Sequence, residues 1–217
     1  MHVAVIGLGN FGSALTQRLF ELGHQVTALD INPKALAPVQ DMAHQAVAAD
    51  ATDRAVLEEL GVDLADAAVV SLGGDMAASI LVTLHLKEMR VKKIIAKAIS
   101  SEHKKILSRV GAGEVIFPER DAAKRLAGTM TDPNLLEYLP IGHEFSVAEV
   151  APPPEFLGKT LVELDLRRRF GVNVIAVRQL VPEQTTILIQ PDYRVKDSDI
   201  LVVVGRHENI QRLHQRP

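Results

Sequence analysis

A regular alternation of short apolar runs with helix-like segments, over roughly the first 130 residues, most constrains how this chain can fold. Six apolar runs, such as residues 2–6 (HVAVI) and 67–70 (AAVV), are each followed by a segment in which apolar residues recur at helical spacing. The runs are continuously apolar, as strands are when both faces of a sheet are covered. Six strand–helix units with short connections predict an α/β fold: a doubly wound, parallel, Rossmann-like sheet with right-handed crossovers.

The pattern changes after about residue 132. Residues 132–142 (DPNLLEYLPIG) contain two prolines and predict a short helix that crosses over to a second domain. Pro152 to Pro154 cannot lie inside a helix or a central strand, and turn-separated, strand-like segments follow them. We therefore expect a Rossmann-like domain over 1–132, a helical crossover over 133–142 and a small α+β domain over 143–217.

The composition removes several classes of function. With a net charge of −3 and a pI near 6.2, the chain lacks the basic surface that nucleic-acid binding requires. It has no cysteine, so disulfides, zinc thiolate sites and thiol nucleophiles are excluded. No apolar stretch approaches the ~20 residues that span a bilayer. Strand-like sequence begins within a few residues of Met1, so we expect a cytoplasmic protein without a signal peptide.

Residues 7–12 (GLGNFG) match the G-x-G-x-x-G pattern of nucleotide-binding turns. A predicted strand precedes the motif, a predicted helix follows it, and Asp30 ends the next strand 18 residues beyond Gly12. Gly7 would permit the tight turn, Gly9 the approach of a phosphate, and Gly12 close packing of helix on strand. Because Asp30 can accept hydrogen bonds from ribose hydroxyls and would repel a 2′-phosphate, the expected ligand is NAD(H), ATP, ADP or AMP rather than NADP.

Asp50, Ala51 and Thr52 follow the third predicted strand, at the edge where ligands of such sheets bind. They could contact an adenine base. Alternatively, Thr52 or Asp53 caps the next helix. Spacing alone leaves both interpretations open.

The sequence offers no recognisable catalytic group for a dehydrogenase, which needs a proton donor or acceptor beside the nicotinamide. Neither tyrosine has a lysine four residues later, and the eight histidines show no metal-binding spacing. We expect His85 to lie inside an apolar helix, and His24 and His103 to lie at solvent-exposed turns. These patterns favour a regulatory protein over an enzyme, with a small NAD-dependent oxidoreductase or NADH redox sensor as the alternative.

Longer segments of the chain resemble the RCK family, the regulators of K⁺ conductance, and within it the cytosolic regulatory subunits of Trk/Ktr potassium uptake systems. The resemblance covers nearly the whole chain. It rests less on the glycine motif, which many folds share, than on the succession of VGAGEVIFPERD, DPNLLEYL and DSDILVVVG at residues 110–121, 132–139 and 197–205.

The resemblance implies a non-catalytic gating subunit. In this family, homodimers assemble into a ring, typically a homo-octamer, beneath a membrane K⁺-translocating partner at the inner face of the cell membrane. Adenine nucleotides control K⁺ flux by changing the geometry between subunits. Physically, the nucleotide must bind two ring conformations unequally, because otherwise it could not shift the equilibrium between them.

The resemblance also implies a set of nucleotide contacts. Lys97, at the end of the fifth predicted strand, would reach terminal phosphates, and Glu119 would help coordinate a divalent cation beside ATP. Alternatively, Lys97 is a solvated lysine and Glu119 an acid in the first turn of a helix, where the dipole favours it. The full set is Gly7, Leu8, Gly9, Asn10, Phe11, Gly12, Asp30, Ile31, Asn32, Asp50, Ala51, Thr52, Ser71, Lys97 and Glu119.

Asn10 departs from the family pattern, because ATP-responsive members carry a basic residue in this turn. An amide offers a phosphate one neutral hydrogen bond, whereas arginine offers a charged, bidentate contact. ADP or NAD(H) therefore competes with ATP as the expected ligand.

In some relatives the small C-terminal domain binds cyclic di-AMP in an apolar cleft. The corresponding strands and turn here contain Val174, Ile175, Arg178 and Pro191, although apolar strand residues also have a simpler explanation as core.

Overall fold

The computed structural model describes residues 1–131, 135–141 and 144–213, and the chain divides into two compact units, Met1–Pro118 and Glu119–Pro217. The first unit is a parallel sheet with helices on both faces, and the second is built on an antiparallel sheet. The division lies earlier than the boundary expected at 133–142, because the helix that begins at Pro118 groups with the second unit. Among the described residues, no helix combines the length and apolarity needed to cross a membrane.

The sheet of the first unit confirms the predicted doubly wound topology. Its strands run parallel in the order β3-β2-β1-β4-β5-β6, so the strand order reverses between β1 and β4. In such sheets, ligands bind where the order reverses, outside the carboxyl ends of the strands. The strands are β1 (His2–Ile6), β2 (Gln25–Asp30), β3 (Gln45–Ala48), β4 (Ala67–Val70), β5 (Ile94–Lys97) and β6 (Glu114–Ile116).

Five helices follow the first five strands of this unit, as the sequence predicts. The second is shorter than expected: only one α-turn forms, and a 3₁₀ segment continues it over Ala37–Met42, where Pro38 lacks the N–H that an α-helix would need. The helices are α1 (Asn10–Glu21), α2 (Pro33–Leu36), α3 (Arg54–Glu59), α4 (Met76–Glu88) and α5 (Ser101–Val110).

Both faces of the parallel sheet are packed, which explains why its strands are continuously apolar. Val5 and Ile6 are neighbours in β1 and pack into the cores on opposite faces of the sheet. Val5 packs beside α1, whereas Ile6 packs with Leu57 of α3 and Leu107 of α5. All four side chains are essentially inaccessible to solvent. The carboxyl ends of the strands are thereby held on a rigid frame.

The second unit contains helix α6 and an antiparallel sheet in the order β10-β9-β11-β8-β7. Its core lies on one face of the sheet, where Phe156 and Leu164 pack. The elements are α6 (Pro118–Thr131), β7 (Leu135–Ile141), β8 (Phe145–Val150), α7 (Leu161–Leu164), α8 (Leu166–Arg169), β9 (Val172–Leu180), β10 (Glu183–Ile187), β11 (Asp199–Arg206) and α9 (His207–Arg212).

The helix predicted within residues 132–142 is wrong for residues 135–141, which form β7. Leucines at 135, 136 and 139 fit helical spacing, but pairing with β8 satisfies the backbone and buries Leu135. As an edge strand, β7 also tolerates Pro140, which has no N–H to donate. The other residues of the predicted crossover, 132–134 and 142, lie outside the described residues.

The segment before β9 forms two short helices, α7 and α8, rather than one continuous helix. Asp165 adopts a left-handed conformation (φ 42°) between α7 and α8. A capping box starts α7, in which Thr160 and Glu163 bond reciprocally to each other's backbone N–H groups.

Candidate functional site

Two of the three motif glycines are required by packing. Gly7 has a φ of +93°, and a Cβ there would lie 2.7 Å from the Ser71 carbonyl oxygen. A Cβ on Gly12 would lie 1.9 Å from the Gly7 carbonyl oxygen. The turn therefore closes tightly between β1, the end of β4 and the start of α1, and larger residues at either position would force it open.

Gly9 has a different environment, because no described atom beyond Gly9 and its two chain neighbours lies within 4 Å of the position that a Cβ would occupy there. Gly9 is the N-cap of α1, it supplies no side-chain cap, and the first turn of this fully described helix contains no acidic residue. The first N–H groups of a helix lack intrahelical acceptors. Open space, unpaired donors and the positive end of a 12-residue helix together form a place for a phosphate.

Asp30 connects the glycine turn to the loop after β2. Its Oδ2 accepts a hydrogen bond from the Leu8 N–H at 2.7 Å, and its Oδ1 accepts one from the Asn32 N–H at 2.8 Å. Asn32 in turn caps α2 through the Lys34 N–H at 3.1 Å, and Ile31 between them is 68% exposed. The carboxylate is thus held in one orientation beside the glycine turn, with lone pairs left for ribose hydroxyls.

The hydrogen bonds after β3 decide whether Thr52 caps the next helix or remains at the ligand-binding edge. Its N–H and Oγ1 both donate to Asp50 Oδ1, at 2.9 and 2.7 Å, and these bonds lower the pKa of Asp50. The cap of α3 is Asp53, which accepts from the Ala55 N–H at 2.9 Å. Thr52 is therefore not the cap and stays at the carboxyl edge, whereas Ala51 is buried in the core.

Two more predicted residues, Ser71 and Lys97, lie at the same edge. Ser71 is 8% exposed, and its N–H donates to the Ile6 carbonyl at 2.7 Å. Lys97 ends β5, and its Nζ lies 3.5 Å from the position that a Cβ on Gly73 would occupy. The lysine thus extends along the glycine-containing loop after β4, so its charge lies on the side of the sheet where the phosphate turn opens.

Two predicted residues do not present their side chains at this edge, and a third belongs to the other compact unit. Leu8 is 3% exposed and Phe11 packs against the core beside α1, so either would contribute only backbone groups. Glu119 is exposed and lies in the first turn of α6, in the second compact unit. Within the described ranges, no group of three or more His, Cys, Asp and Glu residues could hold a metal ion.

Sequence reasoning missed two contributors. Ser13 Oγ donates to the Leu8 carbonyl at 2.7 Å and braces the turn from inside α1, but a serine in a helix carries no signal of this role. His103, expected at an exposed turn, is fully buried in the first turn of α5, so that expectation is wrong. Its neighbours in sequence are polar, and this conceals the burial.

A separate cavity of about 330 Å³ lies in the second unit. Of the residues considered for cyclic di-AMP, Val174 and Pro191 line it, whereas Arg178 forms an ion pair with Glu149. The remaining lining residues are Leu161, Val162, Asp165, Leu166, Arg167, Val172 and Asn173.

Comparison with known proteins agrees with this two-part architecture. The TrkA-N domain model matches residues 3–118, and the TrkA-C domain model matches residues 146–216. The chain is 38% identical to Ktr system potassium uptake protein C of Bacillus subtilis, over 98% of this chain and 96% of that protein. It is 35% identical to Ktr system potassium uptake protein A of Vibrio alginolyticus, over 95% and 93%.

Solved structures share the fold at lower identity. The GsuK channel superposes with a TM-score of 0.69 at 21% identity, over all of this chain and 40% of the channel chain. The GsuK channel bound to NAD gives a TM-score of 0.65 at 21% identity, over 98% and 38%. This chain thus spans less than half the length of these channel chains.

Proposed function

Since the chain belongs to the family that joins a TrkA-N domain to a TrkA-C domain, we propose that it is a nucleotide-binding regulatory subunit of a potassium uptake system. The observation that carries the proposal is the geometry around Gly9: an open helix N-terminus beside a carboxylate oriented by the Leu8 and Asn32 N–H groups. This arrangement suits a phosphate and a ribose. The match to Ktr proteins over nearly their whole length supports the assignment to potassium uptake.

The nucleotide is ADP, ATP or NAD(H), bound by the residues named above from the glycine turn, the ends of β2, β3 and β4, and Lys97. GsuK structures bound to NAD and to ADP support this range of ligands. With ATP, a divalent cation would accompany the phosphates, and the family resemblance suggests Glu119 as one of its ligands. Asp30, with its fixed negative charge, disfavours a 2′-phosphate.

Regulation requires two states of an assembly with different nucleotide affinity. We propose that homodimers of this chain form a ring, typically of eight copies, on the cytoplasmic side of a membrane K⁺-translocating partner. The nucleotide bound at the carboxyl edge of each sheet shifts the angle between neighbouring subunits. No chemical step is involved, so the protein acts by differential binding alone.

Reconstitution tests this proposal. The purified chain is added to vesicles containing the Ktr-type membrane subunit from the same source, and K⁺ flux is measured with ATP, ADP and NADH. We expect flux to depend on the chain and to differ between nucleotides. We also expect no hydride transfer from NADH to aldehydes, and none from hydroxy acids to NAD⁺. Flux that ignores the chain, or hydride transfer with turnover, would contradict the proposal and favour an oxidoreductase.

Asn10 is expected to set the preference between triphosphate and diphosphate. In Asn10→Arg, a guanidinium at the first residue of α1 can pair with a terminal phosphate, a charged contact about twice as strong as a neutral one. We expect ATP affinity to rise relative to ADP by roughly tenfold, which corresponds to about 1.4 kcal/mol. Calorimetry with both nucleotides measures the ratio, Asn10→Gln serves as the neutral control, and an unchanged ratio in Asn10→Arg would contradict this role.

Cyclic di-AMP is a second candidate ligand, proposed for the cavity of the small domain. Apolar walls from Val162, Val174 and Pro191, with Arg167 at the lining, suit a purine and a phosphate. Titration of the full-length chain with cyclic di-AMP tests it, and the absence of heat and of a rise in melting temperature would refute it.

A further inference from the structure

His103 is a buried ionisable group with an incomplete set of hydrogen bonds. Its side chain is 0% exposed, at the third residue of α5. Its Nδ1 faces the Ile99 N–H at 3.4 Å, and its Nε2 has no hydrogen-bond partner among the described residues. Since Nδ1 accepts a hydrogen bond from the backbone, the proton of the neutral ring is on Nε2.

The position of His103 connects it to the candidate nucleotide site. Ile99 lies two residues after Lys97, which ends β5 at the site. Ser100 caps α5 by accepting from the His103 N–H at 3.0 Å. The Ile99 and Ser100 contacts therefore secure, from inside the fold, the short segment that leads from Lys97 into α5.

A proton on Nδ1 would disrupt this arrangement for three reasons. The ring would then present a donor to the Ile99 N–H, and a cation would lie in an apolar interior. It would also lie at the positive end of a helix dipole. Because His103 is fully buried, an imidazolium there can reach water only if the packing around it opens.

Charged side chains nearby do not compensate for the burial. Burial alone lowers the pKa of His103 below the usual range of a histidine. The ionisable groups on α5 and on the elements around it are Glu102, Lys104, Lys105 and Arg109 on α5, His85, Lys87 and Glu88 on α4, Lys97 on β5 and Glu114 on β6.

We propose that His103 is a proton-operated latch, which holds the segment carrying Lys97 in place while neutral and releases it when protonated. The proposal rests on the nucleotide-binding role of this edge. It makes nucleotide affinity, and through it potassium uptake, responsive to acidification of the surrounding solution. The ligand of the latch is the proton itself.

The direction of the effect follows from linkage. A histidine with a lowered folded pKa stabilises the fold above its unfolded value near 6.5, and this contribution is lost as the pH falls through the folded value. The nucleotide-bound form, which needs Lys97 in place, favours the neutral ring. Affinity therefore falls as the pH falls below about 6.5.

The test compares His103→Asn with the unchanged chain. Asparagine Oδ1 can accept the Ile99 N–H in place of Nδ1 but does not titrate between about pH 5.5 and pH 7.5. His44→Asn, at an exposed histidine, is the matched control. ADP affinity is measured by calorimetry across this range for the three proteins, so that protonation of ADP itself, common to all, cancels.

As the pH falls across this range, we expect ADP affinity to decrease at least about threefold more in the unchanged chain and in His44→Asn than in His103→Asn. Each unit of pKa difference corresponds to a tenfold change in affinity. Parallel profiles for all three proteins would overturn the latch. If no protein binds ADP at any pH, the proposed function fails instead. In that case, hydrogen exchange at the Ile99 amide still tests the latch: exchange should accelerate on acidification, relative to neighbouring amides, only where His103 is present.

Discussion

Gly9→Ala is expected to abolish most nucleotide binding without affecting the fold. Gly9 has an ordinary φ of −65°, and a Cβ there meets no described atom beyond its chain neighbours, so alanine fits the unliganded chain. The same Cβ would occupy the space through which a phosphate approaches the N–H groups of α1. Losing one charge-assisted hydrogen bond, at about 1.5–3 kcal/mol, weakens ADP binding roughly 10- to 150-fold, and losing a second weakens it further.

Gly12→Ala is the matched comparison, because we expect it to destabilise the fold, whereas Gly9→Ala should weaken binding and leave the fold intact. A Cβ placed 1.9 Å from the Gly7 carbonyl oxygen must displace backbone that β1 and α1 hold rigidly. We expect the free energy of unfolding to fall by at least ~1–3 kcal/mol, the range for overpacked interiors, and binding to fail with it. Melting temperature and calorimetric Kd, measured on both variants, separate the two. Unchanged ADP affinity in Gly9→Ala would show that the phosphate does not bind at this turn.

Replacing the carboxylate of Asp30 is expected to have the second large effect. The Asp30 carboxylate accepts hydrogen bonds from both the Leu8 N–H and the Asn32 N–H. In Asp30→Asn, the NH₂ of the amide must face one of these two N–H groups. One of these contacts becomes a donor–donor clash, and a ribose loses a charged acceptor. We expect affinity for NAD⁺ or ADP to fall roughly 10- to 100-fold, equivalent to about 1.4–2.7 kcal/mol.

The same substitution should relax discrimination against a 2′-phosphate. Removing the negative charge removes its repulsion of NADP⁺, so the ratio of NAD⁺ to NADP⁺ affinity should decrease. Asp53→Asn is the control, because Asp53 caps α3 at the same sheet edge and asparagine caps equally well. If both variants change nucleotide affinity alike, the assignment of the ribose to Asp30 is wrong.

The fold of the first unit could be predicted because local and global requirements agree there. Continuous apolar strands such as Ala67–Val70 are unambiguous when helices cover both faces. Residues 135–141 failed because leucines at 135, 136 and 139 satisfy helical spacing as well as an edge strand. Pairing with β8 decides that this segment is a strand, and the segment's own residue pattern does not reveal that pairing.

The candidate site likewise contains residues that the sequence identifies and residues that it does not. The glycines and Asp30 are recognisable because backbone geometry at a phosphate turn restricts residue type at fixed spacing. His103 is not, because the polar sequence SSEHKK around it indicates an exposed helix start, whereas its ring is turned into the core. Which polar residue of an amphipathic helix is buried depends on the orientation of the helix against β5 and β6, and this is a tertiary property.

The central claim, that this edge binds a nucleotide as a signal, is tested most directly by calorimetric titration of the purified full-length chain. ADP, ATP, NAD⁺, NADH and NADP⁺ are titrated in parallel, with Gly9→Ala as the reference that keeps the fold. The account predicts saturable binding of at least one of the first four, weak or no binding of NADP⁺, and loss of binding in Gly9→Ala. Binding that persists in Gly9→Ala, or no binding of any nucleotide by the intact chain, would contradict it.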